Sequence, residues 1–105
     1  MRGYSLDPST FSITLAAMLF MVIEHFRNGN FQAVGERFRQ QGRMMPGDVI
    51  YHASWLESSG ARCFQIMEAP GPESLRGWTR HWQDLVDFEI VPVLTSAEFW
   101  AKHPG

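Results

Sequence analysis

From Met18 to Phe26 (MLFMVIEHF) nearly every position is apolar, with β-branched and aromatic types throughout. That run predicts a strand buried on both faces. Asn28-Gly29-Asn30 supplies a turn and then a helix cap. Phe31, Val34 and Phe38 follow at spacing three and four, which makes one apolar stripe on a helix. Gly42 ends that helix, with Arg39 and Arg43 near the negative end of its dipole. Residues 49–56 (VIYHASWL) and 63–68 (CFQIME) read as two strands joined by a hairpin loop containing Ser-Ser-Gly. Pro70-Gly71-Pro72-Glu73 opens a second helix, whose inner stripe is Leu75, Trp78, Trp82 and Leu85. A last strand is expected at 88–94, and Ser96 is placed to cap a short final turn carrying Phe99 and Trp100.

The predicted order is β-α-β-β-α-β, an α+β, ferredoxin-like sandwich. Right-handed crossovers put strands one and two parallel, the third between them and the fourth beside the first. The sheet is then antiparallel, with both helices on one face. Its other face is bare. Alternate strand positions divide into two sets, for example Leu19, Met21 and Ile23 against Phe20 and Val22, or Tyr51, Ala53 and Trp55 against Ile50, His52 and Ser54. Neither set is polar enough to face water. At roughly 25 cal/mol per Å2, even ~400 Å2 of apolar surface favours association by several kcal/mol before entropic costs. The expected partner is therefore a second copy, joined through the sheet face.

Length changes this picture little: 105 residues, 45% of them hydrophobic and 19% charged, fit one folded domain. A net charge of −2 offers no attraction to nucleic acid or to an anionic membrane, and neither is expected as a partner. One cysteine, Cys63, excludes an internal disulfide and suits a reducing, cytoplasmic compartment. Residues 1–17 read as a leader outside the domain, with Met18 an alternative start. The domain itself is expected at 18–97, and 98–105 as a short tail. Arg2 and the apolar stretch 13–23 resemble a signal peptide only in part. Asp7 and Pro8 interrupt the first region, and the run continues into Glu24 without a cleavage point.

Several segments in order, 18–30 (MLFMVIEHFRNGN), 36–46 (ERFRQQGRMMP), 62–68 (RCFQIME) and 82–96 (WQDLVDFEIVPVLTS), resemble the small bacterial domain of unknown function 3303. The resemblance implies the dimeric α/β-barrel superfamily, and with it the fold and self-association but no reaction. That superfamily includes cofactor-independent monooxygenases, haem-degrading enzymes, isomerases and small-molecule sensors, so fold says little about chemistry. Its haem-degrading members use a histidine on the second helix. His81 lies about 80° from the centre of the inner stripe, by the 100° per residue of a helix, and that site is not mapped here. No cofactor is expected.

No Gly-rich phosphate loop, Gly-x-Ser-x-Gly or cysteine pair is present, and the histidines are scattered, so no metal site is expected. Glu24 is the most informative acid. At the end of an apolar strand it is either a desolvated general acid or base, or a wet-end carboxylate paired with Arg27 or Arg43. His52 is the second acid/base candidate. With Ser54, Cys63 and Gln65 it would place polar groups on one sheet face, with Tyr51 and Trp55 as aromatic walls; the bland reading is a histidine bonded across a dimer seam. Gln65 and Glu68 fall on opposite faces of their strand. Cys63 reads as a small buried hydrophobe before a nucleophile. Trp78 and Trp82 are core residues first and ligand walls second. Arg37, Arg39 and Arg43 form a basic helix end, solvated or anion-binding, and Asp84, Asp87 and Glu89 a solvated turn. Two small-molecule functions follow, beside a purely structural dimer that modifies a larger partner. One is a homodimer binding a small apolar or aromatic molecule, in a pocket between sheet and helices or between two sheets. The alternative is a cofactor-independent monooxygenase, isomerase or lyase using Glu24 or His52.

Overall fold

The computed structural model describes residues 17–104; residues 1–16 of the expected leader lie outside the described residues. Strands β1 (Met18–Phe26), β2 (Ile50–Leu56), β3 (Arg62–Ala69) and β4 (Val86–Val93) form one sheet in the order β2-β3-β1-β4. Every neighbouring pair is antiparallel. Helix α1 (Phe31–Gln41) follows β1, α2 (Pro72–Thr79) follows β3, and α3 (Ser96–Lys102) closes the chain. The architecture is the expected α+β, ferredoxin-like arrangement, with a third helix added where only a turn was anticipated.

Local chemistry accounts for the element ends. Asn30 caps α1 by accepting from the Ala33 amide at 3.1 Å, and Gly42 leaves the helix at φ +70°. Pro72 opens α2 with Glu73 in its first turn. The stripe through Leu85 does not extend α2, whose regular helix stops at Thr79. Residues 80–85 continue as tight turns in which Trp82 N–H donates to Thr79 and Leu85 N–H to Trp82, both at 2.9 Å. These turns still bury Trp82. Thr95, not Ser96, caps α3, in a reciprocal box with Glu98.

Alternation along β1 and β3 is strict, and the two faces are now distinguishable. Phe20, Val22, Glu24 and Phe26 on β1, with Cys63, Gln65, Met67 and Ala69 on β3, are buried. With Val86, Leu75, Trp78 and Trp82 the apolar members of this set form the core. The other face carries Leu19, Met21 and Ile23 beside Phe64 and Ile66, half-buried in the single chain. Two polar pairs flank it at opposite ends, His25 against Glu89 at 3.1 Å and His52 against Glu68 at 3.0 Å.

On β2 the simple alternation fails. A bulge between Tyr51 and Ala53 shifts the register, so Tyr51 pairs with buried Met67 whereas Ala53 and Trp55 pair with Ile66 and Phe64. Side-chain period is two, and one inserted residue exchanges faces for everything beyond it. Ala53 and Trp55 share the open face as expected, but Tyr51 leaves their set and Ser54 leaves that of Ile50 and His52 to meet on the covered face, which corrects the grouping expected from uninterrupted alternation.

Candidate functional site

Helix α1 buries none of its residues. Its stripe of Phe31, Val34 and Phe38 lines a cavity of about 460 Å3, with only Val34, half-buried, also packed against the core. The floor comes from β1 and β3 (Glu24, Phe26, Cys63, Gln65), one side from Ser54 and Leu56 of the edge strand β2, and the far wall from Trp78 and Trp82. Volume and lining suit a small molecule, since binding cavities combine apolar walls with a few convergent polar groups.

Polar groups gather at one end. Glu24, only 7% exposed, accepts a hydrogen bond from Gln65 Nε2 at 2.6 Å. Burial pushes its carboxyl up to about 7, against the opposing pull of the Arg43 charge and the Gln65 bond. The Gln65 amide oxygen faces Arg43 Nε at 3.4 Å, so glutamine lies between acid and base. The guanidinium of Arg43 stacks on Tyr51, its central carbon 3.7 Å from the ring centroid. The Tyr51 hydroxyl lies 2.7 Å from Ser54 Oγ. This contact spans three residues along β2 and exists because the bulge turns both side chains to one face.

The backbone at Arg43 is held as firmly as its side chain. Its carbonyl accepts from the indoles of Trp78, at 2.9 Å, and Trp82, at 3.2 Å. Both buried N–H groups are thereby satisfied by one acceptor. Met44 sits at φ +58°, a conformation that disfavours side chains other than those of Gly and Asn.

Glu24, Ser54, Cys63, Gln65, Trp78 and Trp82 thus line one cavity, with Tyr51 beside it. His52 and Trp55 stand apart on the open face, His52 bonded to Glu68 within its own chain and Trp55 58% exposed. A site shared by His52 and Gln65 is corrected by the same bulge. Glu24 does not sit at a wet end either. Arg27 is taken by Asp87 at 2.9 Å, and Arg43 reaches Glu24 only across Gln65. Cys63 is a buried thiol pushed up to about 12, first by desolvation and then by Glu24, so it stays protonated. The acidic turn is not simply solvated: Asp84 binds Arg37 at 2.7 Å, Asp87 binds Arg27 and Glu89 meets His25. Arg43 was legible as part of a basic helix end and as a pairing partner for Glu24, but not as the anchor of a cavity. Its role as the polar anchor depends on how β2 and β3 pair beside it, bringing Tyr51 and Gln65 onto one face.

Among the described residues no group of His, Cys, Asp and Glu is placed to hold a metal ion, and no helix is long and apolar enough to cross a membrane. No curated protein and no solved structure matches the chain. Residues 18–105, from the start of β1 through α3, match the family described as Domain of unknown function (DUF3303), and the chain belongs to that family.

Proposed function

We propose that this domain is a homodimer that binds a small, mostly apolar molecule in the cavity between α1 and the sheet. The observation that carries the reading is the cavity itself: about 460 Å3, walled by Phe26, Phe31, Phe38, Trp78 and Trp82, with one buried carboxyl, Glu24, on its floor. A helix of this fold ordinarily drives its apolar stripe into the core, and α1 brings only Val34 against it. Binding is tested with N-phenyl-1-naphthylamine, a neutral dye that brightens in apolar sites. Gly35 lines the cavity, and an added Cβ there meets only the end of Arg39, at 3.5 Å. Gly35→Leu should fill the space and weaken dye binding at least about tenfold while the fold persists, since removing glycine from a helix interior gains ~0.5–1 kcal/mol. Equal dye binding by both proteins would sink the reading.

The dimer rests on the open face, where Leu19, Met21, Ile23, Phe64 and Ile66 form an apolar field edged by the two His–Glu pairs. Pairing two such faces produces a dimeric α/β barrel. Light scattering should return twice the chain mass at low micromolar concentration, and Ile66→Glu should halve it. A monomeric native chain rules this part out. One buried, free thiol supports a cytoplasmic setting for the assembly.

A second reading, a cofactor-independent enzyme, is favoured by one fact: a carboxyl brought near 7 inside an apolar cavity is matched to proton transfer at neutral pH. Glu24 would act alone, because His52 is on the other side of the sheet. Glu24→Gln should then abolish turnover of any substrate while leaving its binding intact.

A further inference from the structure

We infer that the ligand of this cavity is a carboxylic acid with an apolar body, its carboxylate seated against Arg43 and its body lying under α1. The inference deepens the small-molecule reading and rests on it.

The argument begins with charge. Two arginines line the cavity, Arg39 and Arg43. Arg39 is neutralised by Glu36 at 2.7 Å on the exposed side of α1. Arg43 has no carboxylate within ion-pair distance among the described residues. Among the described residues its only polar side-chain bond is the long one to the Gln65 oxygen. A half-buried guanidinium without an anion is costly unless something supplies one. Glu24 is the obvious candidate and is separated from it by Gln65, which spends its amide hydrogen on Glu24. Tyr51, Phe38 and the two indole-bound carbonyl contacts hold Arg43 in place without occupying its N–H donors. Its position is prepared and its donors remain available.

Chemistry then selects the ligand. A guanidinium matches a carboxylate in a planar, two-bond contact, and the low dielectric of the cavity strengthens it. A dianion would leave one charge uncompensated beside Glu24. A neutral alcohol would leave Arg43 unpaired, and a cation would meet it directly. At about 30 Å3 per water-sized group, the cavity holds on the order of ten to fifteen non-hydrogen atoms, the size of a medium-chain or bicyclic acid.

The site also ties binding to protons. The charged or titratable groups near Glu24 are Arg43 from the loop after α1, Arg39 on α1, Cys63 on β3 and Tyr51 on β2. Phe88 of β4 and Trp78 of α2 present no charge there. With Glu24 protonated the Glu24–Gln65–Arg43 group carries one positive charge and welcomes an anion. With Glu24 ionised the same anion meets a neighbouring carboxylate. Acid binding should weaken as pH rises through neutrality.

Decanoate and 1-decanol, two probes of one length, separate the possibilities by displacement of N-phenyl-1-naphthylamine. At pH 6 decanoate should displace the dye at a concentration at least about tenfold below that of decanol, the scale of one charged hydrogen bond in a site of this kind. Between pH 6 and pH 8 decanoate, ionised throughout, should weaken about tenfold, with decanol flat. Arg43→Gln should erase the preference by weakening decanoate at least about tenfold more than decanol, and Glu24→Gln should erase the pH dependence. If the two probes compete equally in the native protein, the acid class is wrong while the cavity reading survives. If neither displaces the dye or binds by calorimetry, the cavity reading fails and takes this inference with it.

Discussion

Helix α2 lowers Leu75 and Trp78 into the core, each at 1% exposure or less, whereas α1 on the same face of the same sheet has no fully buried residue and rests only Val34 against that core. Trp78 meets Phe88 edge to face at 5.3 Å, and its indole is bonded. Helix α1 is instead suspended by polar and peripheral contacts. Arg37 donates to both Asp84 oxygens at 2.7 Å and to the His81 carbonyl at 2.9 Å. At the other end Phe31 lies on the β2–β3 loop at Gly60, where φ is +79° and a Cβ would come within 2.9 Å of the ring. Only glycine suits that turn. One half of the domain supplies stability, and the other keeps a space open. The difference shows that a repeated β-α-β plan need not mean a repeated core.

Truncation tests this contrast most severely. Trp78→Ala should cost about 3–5 kcal/mol, enough to unfold much of a small domain at 37 °C. Phe38→Ala, from a side chain 44% exposed, should cost about 1 kcal/mol or less. Urea denaturation of both variants decides it, and equal losses would mean that α1 is packed after all.

Next in size is the buried acid. The folded carboxyl of Glu24 titrates near 7 against an ordinary 4.5, so the native state holds its proton more tightly than the unfolded chain does. The contribution of Glu24 to stability is therefore greatest below about pH 4.5, declines as pH rises and levels off above about 7, with a total loss on the order of 3 kcal/mol. Glu24→Gln should recover up to about that amount at pH 8 and almost none at pH 4.5. A gain independent of pH would place the origin elsewhere.

Smallest is the clasp. Arg37→Ala should lower global stability by no more than about 1 kcal/mol, since the pair is largely solvated. Hydrogen exchange should nevertheless accelerate in α1 and stay unchanged in α2. Uniform acceleration would show that the two helices open together.

Much of the architecture was legible because it is written locally. The double-sided apolar run of β1, the Asn30 cap, the Gly42 stop and Pro72 at the head of α2 each act within a few residues, and the structure shows all four. The alternation expected along β2 failed at its bulge, which no residue there announces. The indoles of Trp78 and Trp82 were readable as core, but not as the joint donors that fix Arg43.

The chain on its own determined the order of strands and helices, because backbone preference and hydrophobic period are short-range properties. Tertiary structure decided which face each β2 side chain occupies, that Glu24 is desolvated, and that Gln65 stands between it and Arg43. Those outcomes depend on register and packing between segments separated by tens of residues, where a shift of one position exchanges inside for outside. The same distance in sequence hides the cavity: an apolar stripe announces that α1 has a buried side, but not how closely the sheet approaches it.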